Sequence, residues 1–149
     1  MIDLLYKAGR AGVKIRLIIR GMFSLLPGVS GLSDNIEAIS IVDRFLEHSR
    51  FFIFGNGGDE LIYLTSADLM RRNLDRRVEV TAPVYDPKIK EELRMFFDIQ
   101  WADNVKARIR TDALVQPERP RLKGKKVRAQ YEIYHYLKTL HMLKKEIDH

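Results

Sequence analysis

The stretch RFFIFGNGGDELIYLTSAD, residues 50–68, does most to fix what this chain can fold into. An apolar run, a turn of asparagine and glycines, and a second apolar run read as two strands of a hairpin. Upstream, IDLLYKAGRAG reads as an amphipathic helix with Leu4, Leu5 and Ala8 on one face, stopped by Gly9 and Gly12. KIRLIIRG then reads as a buried strand ending at Gly21, and LLPGVSGLSDN as a turn-rich loop. NIEAISIVDRFLEH is expected to be a helix, capped by Ser33 or Asp34, with Ile36, Ile39, Val42, Phe45 and Leu46 along one face. RRVEVTAPV alternates as a strand until Pro83. DPKIKEELRMFFDIQWAD is expected to be a helix with Pro87 in its first turn and Ile89, Leu93, Phe96 and Phe97 as its core stripe. RAQYEIYHYLKTLHMLKKEI reads as a closing helix with basic residues at its end. Helices and strands interleaved in this way predict an α/β fold, a mixed sheet flanked by helices. At 149 residues the expectation is a single domain, 1–149, with 117–149 a basic linker and terminal helix. The first helix has no cap or lead-in, which suggests a segment of a longer chain.

Composition narrows the classes. There is no cysteine, so disulfide frameworks and cysteine zinc sites are excluded. No apolar run reaches the roughly 18 residues of a membrane span, and the start lacks the apolar core of a signal peptide. A cytoplasmic location is the default. The net charge of +6 is concentrated: residues 105 to 128 hold nine Lys or Arg against Asp112 and Glu118. Such a stripe suits a polyanion (nucleic acid, anionic membrane or phosphate polymer), or is a solvated connector.

Three groups of residues could carry chemistry. His48 stands at an expected helix-to-strand junction with Arg50 two residues on, and imidazole beside guanidinium suits phosphoryl chemistry. Arg20 ends an apolar strand, with Gly21 allowing close approach to the backbone. In TSADLMRRNLDRRVE, residues Ser66, Asp68, Asn73, Asp75, Arg76, Arg77 and Glu79 form either a surface ion-pair web or a partly inward-facing arginine cluster. The apolar strands on either side favour some inward arginines. His135 and His141 are six apart, off the spacing that puts two ligands on one helix face, so no metal site is expected. Gly55-Asn56-Gly57-Gly58 is neither a phosphate-binding Walker loop nor a dinucleotide fingerprint.

At these residues the chain resembles the C-terminal region of bacterial polyphosphate kinases, which make inorganic polyphosphate from ATP. KIRLIIRGMFSLLPGVSGLSDNI, SIVDRFLEHSRFFIFGNGGDE, YLTSADLMRRNLDRRVEVTAPVYD and VRAQYEIYHYL carry the likeness, from about residue 11 to 140. The resemblance implies a phospholipase D-like fold, in which two α/β halves each bring one histidine to a shared site. Of the pattern His-x-Lys-x4-Asp, His48 and Arg50 fill the first two places and Gly55 stands where the Asp would be; Ser66 and Asp68 approximate the Ser-x-Asn piece. The missing Asp counts against phosphodiesterase activity.

It further implies that ATP gives its γ-phosphoryl to a histidine of the preceding domain, absent here. His48 matches the second active-site histidine and Arg20 a nucleotide-contacting arginine; Arg50, Arg76 and Arg77 complete the ATP- and phosphate-binding set. ATP or ADP is substrate, and Mg2+ would find its ligands outside this fragment. The expected partners are ATP, inorganic polyphosphate, the preceding domains and further copies in a homo-oligomer. Nucleic acid and a transmembrane segment are not expected, and the location is cytoplasmic or peripheral at the inner membrane. The isolated fragment is expected to be folded but inactive. The alternatives are a phospholipase D-like phosphodiesterase and a non-catalytic polyanion-binding module.

Overall fold

The computed structural model describes residues 1–111, 124 and 126–147. In order the elements are α1 (Ile2–Arg10), β1 (Ile15–Ile18), β2 (Ile36–Ile41), β3 (Phe51–Phe54), β4 (Leu61–Thr65), α2 (Arg71–Arg76), β5 (Thr81–Val84), α3 (Pro87–Trp101), β6 (Ala107–Ile109) and α4 (Ala129–Ile147). They form two compact units: residues 1–45 with 98–149, and residues 46–97.

The first unit is built on the sheet β1-β2-β6, with β2 parallel to β1 and antiparallel to β6. The mixed sheet is as the sequence leads one to expect, but its central strand is not. NIEAISIV is β2, not a helix. Its apolar residues at 36, 39 and 42 happen to fit a helical period, yet Ile36, Ala38, Ile39 and Ile41 are all buried. A central strand covered on both faces reads as a nearly continuous apolar run, and three β-branched isoleucines prefer the extended backbone. Phe45 and Leu46, expected on a core face, are 61% and 75% exposed. Ile39, Ile41, Ala107 and Ala129 form the core, with Ile18, Ile99 and Trp101 packed against it. α1 is packed close through Gly9, where a Cβ would come within 3.2 Å of the Ile36 side chain. Ser33 and Asp34 knot the loop before β2 instead of capping a helix: Ser33 Oγ donates to the Leu26 carbonyl at 2.6 Å and accepts from Val29 N–H at 2.9 Å.

Two buried carboxylates hold this unit's later segments. Asp103, with no exposed surface, accepts the N–H groups of Val105, Lys106 and Ala107 on Oδ1 and that of Ala129 on Oδ2, at 2.7–3.0 Å. Asp43, its side chain 2% exposed, takes a two-pronged bond from Arg128, Nε to Oδ2 at 2.7 Å and Nη2 to Oδ1 at 2.6 Å. The Arg128 hydrogen bond holds the Asp43 carboxyl below its ordinary value of 3.8, against the opposing effect of burial. The folded pKa therefore lies below the unfolded one. Its stabilisation is complete above about pH 4 and is lost as pH falls through the folded pKa. Asp43→Asn is expected to lower stability at pH 7 and to flatten the loss between pH 4 and lower pH; denaturant unfolding of both proteins across that range checks it. An unchanged acid limb would assign the acid sensitivity to other carboxylates.

The second unit carries the antiparallel sheet β3-β4-β5. The hairpin β3–β4 pairs Phe52 with Tyr63 and Ile53 with buried Ile62. Its turn is a single 3-10 turn over Asn56–Gly58, and it needs its glycines: Gly57 and Gly58 sit at φ of 65° and 107°. β5 is an edge strand, which is why Pro83 lies inside it opposite Tyr63 without breaking the ladder. Arg71–Arg76, expected as a loop between strands, is the short helix α2. β6 falls inside the basic stripe and has no sequence signal beyond Ala-Arg-Ile; it forms because β2 offers it a free edge. Among the described residues no helix is long and apolar enough to cross a membrane.

Candidate functional site

β3 begins at Phe51, so the residue before it, Arg50, is held by the sheet: its carbonyl accepts Thr65 N–H at 2.9 Å. Its guanidinium is also fixed. Nε donates to Asp68 Oδ1 at 2.6 Å and Nη1 to the His48 carbonyl at 3.3 Å, with the side chain 32% exposed. His48 therefore lies in a strand-to-strand connection, 42–50, not at the end of a helix. Its imidazole is exposed and has no hydrogen-bond partner among the described residues. The Arg50 hydrogen bond holds the Asp68 carboxyl below its ordinary value, against burial; the charges of Arg50, Arg72 and His48 act in the same direction. A carboxylate ion-paired at this place leaves a cationic group, Arg50, positioned and not merely present.

A second network lies on the same sheet. Pairing of β4 with β5 brings Ser66 against Val80, whose N–H donates to Ser66 Oγ at 3.0 Å. The Ser66 hydroxyl donates in turn to Glu79 Oε2, and Asn73 Nδ2 donates to Glu79 Oε1 at 2.7 Å. These two bonds, Ser66 first, hold the Glu79 carboxyl below its ordinary 4.5, with Arg77 and Arg50 adding charge of the same effect. Asn73 is buried, and its Oδ1 has no hydrogen-bond partner among the described residues. Glu79 and Asn73 were visible in the sequence only as members of a polar run. The signal that ties them together is the register of β5 on β4, which residue spacing does not reveal.

The arginines of this run do not turn inward. Arg71, Arg72, Arg76 and Arg77 are all exposed; Arg71 pairs with Asp75 at 3.2 Å along α2, and Arg77 lies near enough to Glu79 to lower its pKa. The helix α2 puts them on the solvent side because its one buried position is Asn73.

Arg20 belongs to the first unit. Ile19 N–H donates to the Ile39 carbonyl at 2.9 Å, so pairing with β2 runs to the residue before it. The next residue is also held: Arg110 Nη2 donates to the Gly21 carbonyl at 2.8 Å, its guanidinium 5.6 Å from the Phe23 ring centre. Arg110 and Arg128, both in the basic stripe, thus serve the fold itself. Residues 112–123 and 125 of that stripe lie outside the described residues.

Among the described residues no three His, Asp or Glu side chains gather as a metal set. Asp68 and Glu79 are both engaged, Asp68 by Arg50 and Glu79 by Ser66 and Asn73. Carboxylates committed in this way do not fit a magnesium site.

Residues 1–130 match the sequence profile described as "Polyphosphate kinase C-terminal domain 2". The chain belongs to the polyphosphate kinase family. It is 51% identical over 140 residues to the polyphosphate kinase of Escherichia coli (strain K12), covering 94% of this chain and 20% of the relative. That of Yersinia pestis is 52% identical over the same length and shares. The crystal structure of polyphosphate kinase from Porphyromonas gingivalis superposes with a TM-score of 0.91 at 42% identity, over 95% of this chain and 22% of that one. The chain spans about a fifth of the length of the curated relatives it matches. The family's phospholipase D-like α/β class agrees with the mixed sheet and flanking helices seen here.

Proposed function

We propose that this chain supplies one half of the transfer site of an ATP:polyphosphate phosphotransferase, with His48 as the catalytic residue of that half. The observation that carries the reading is the pair at the start of β3: Arg50 is locked by Asp68 at 2.6 Å while the His48 imidazole beside it stays open. ATP gives its γ-phosphoryl to a histidine in a preceding domain and ADP departs. A terminal oxygen of polyphosphate then attacks that phosphorus, and the histidine nitrogen leaves. Phosphoryl transfer of this kind relies on positioning and on offsetting charge at the nonbridging oxygens. His48 donates an N–H to those oxygens and Arg50, Arg76 and Arg77 offset the rest, while Arg20 serves the nucleotide. Arg50 does so through Nη2, since Nε and Nη1 are committed to Asp68 and His48.

Magnesium accompanies the nucleotide and takes its protein ligands from outside this chain. The 149 residues alone are inactive for want of the partner histidine. The full enzyme acts as a homo-oligomer in the cytoplasm or at the inner membrane's surface, with polyphosphate, not nucleic acid, as its polyanion.

Arg20 tests the nucleotide assignment. A bidentate grip on phosphate needs the guanidinium fork, so in the full-length enzyme Arg20→Lys is expected to fail almost as badly as Arg20→Ala, each losing roughly 10²-fold in turnover or ATP affinity. Neutralising Lys123, Lys125 and Lys126 is expected only to reduce the salt dependence of polyphosphate binding. Wild-type behaviour of Arg20→Lys would remove the bidentate assignment.

A further inference from the structure

The arginines of α2 are all exposed, yet they are not equivalent. Arg71 is taken up by Asp75, its Nε donating to Oδ2 at 3.2 Å. Arg72 and Arg76 form no ion pair with the described residues. Helical geometry separates the two sets. With 3.6 residues per turn, Arg71 and Asp75 lie on the far side of the helix from its one buried position, Asn73. Arg72 and Arg76 are four residues apart and share the flank beside that position.

The backbone that carries Arg72 is fixed on both sides. Before it, the Asp68 carbonyl accepts Met70 N–H at 2.7 Å, and the Met70 carbonyl accepts the N–H groups of Asn73 and Leu74 at 2.9 and 3.1 Å. The chain thus turns into α2 directly from the residue whose carboxylate holds Arg50. After it, Asn73 Nδ2 donates to Glu79 Oε1 at 2.7 Å, and the Ser66 hydroxyl holds the other oxygen of Glu79. The Arg50 hydrogen bond is the main cause of the lowered Asp68 carboxyl, and the charges of Arg72 and His48 add to it.

Both carboxylates here are committed by hydrogen bonds, Asp68 to Arg50 and Glu79 to Ser66 and Asn73. Against these two stand three guanidiniums, Arg50, Arg72 and Arg77. The excess of positive charge suits an anion from outside the chain. Two substrates offer the same phosphoanhydride chemistry, but they differ in extent. A nucleotide ends at the phosphoryl group it gives up, whereas a polyphosphate acceptor continues behind its reacting end. An exposed guanidinium on a fixed helix next to the Arg50–Asp68 pair suits that continuation.

We propose that Arg72 binds the acceptor polyphosphate behind its reacting end, on nonbridging oxygens of a phosphate unit that is not itself transferred. This rests on the reading of His48 and Arg50 given above. Arg71, one residue away with the same charge, is outside this contact.

The test compares Arg72→Gln with Arg71→Gln in the full-length enzyme. Each change removes one charge and keeps a good helix former, so the pair is matched for folding. Binding of linear polyphosphate of uniform length, measured without nucleotide, is expected to weaken about tenfold or more in Arg72→Gln and no more than about twofold in Arg71→Gln. The salt dependence of binding is expected to fall by about one unit in Arg72→Gln. KM for ATP in polyphosphate formation is expected to stay within about twofold in both. Equal weakening in the two variants would reduce α2 to diffuse charge and overturn the proposal. A rise in KM for ATP as large as the loss of polyphosphate binding would place Arg72 on the nucleotide and overturn it as well. Failure of the functional reading is separable: full turnover in a His48→Ala enzyme defeats that reading, while the nucleotide-free binding of the two variants still reports the contact of Arg72.

Discussion

His48→Ala in the full-length enzyme is expected to cut polyphosphate formation by roughly 10²-fold or more while leaving stability within about 0.5 kcal/mol. The two halves of that expectation come from the same observation. The imidazole is exposed and makes no hydrogen bond to the described residues, so the fold loses nothing when it goes. A group that the fold does not use, placed beside a guanidinium that the fold holds in position, is available to a phosphoryl group. Turnover of the variant against wild type, with thermal unfolding of each, decides it. Normal turnover would reduce His48 to a surface residue, and a large stability loss would mean that it packs in a way its open position does not suggest.

Asp103→Ala is expected to produce the largest stability loss in the molecule. Four backbone N–H groups converge on one fully buried carboxylate, and removing it leaves them all without an acceptor. At about 1–3 kcal/mol for each orphaned buried donor, the loss is roughly 4 kcal/mol or more, a large fraction of ordinary domain stability. Asp103→Asn is expected to fall between, because one of its two positions becomes a donor facing other donors. Denaturant midpoints of the three proteins test the order. Wild-type stability in Asp103→Ala would mean that water replaces the carboxylate at all four sites.

Much of this architecture was legible from local pattern. The hairpin announced itself through two apolar runs and glycines with positive φ, and α1, α3 and α4 through their apolar faces and stops. β2 was misread because Ile36, Ile39 and Val42 fit the helical period; only its place between β1 and β6, buried on both faces, makes it a strand. α2 and β6 are too short for any period to declare itself. His48 and Arg50 lie on one local stretch, so the bond from the Arg50 guanidinium to the His48 carbonyl needs no strand pairing. The Arg50–Asp68 and Ser66–Glu79–Asn73 contacts depend on strand pairing, and the four arginines near them faced outward because α2 turns its single buried position to Asn73. The roles of Asp43 and Arg128 could not be read at all: they lie far apart in the chain, and Arg128 looked like one more charge in a basic stripe.

The first unit is discontinuous, its two parts separated in the chain by the whole of the second. During synthesis residues 46–97 are complete before β6 and α4 have been made. The hairpin unit can therefore fold as a local event. β2 meanwhile has only β1 beside it, and presents an unpaired edge of a strand whose Ile36, Ala38, Ile39 and Ile41 are destined for the core. An apolar open edge is a template for pairing with other chains. The arrival of Ala107–Ile109 closes that edge, and Asp103 and Asp43 then receive α4. A polypeptide halted between residues 97 and 107 would expose this edge, so the segment from Ala107 onward shields β2 from other chains.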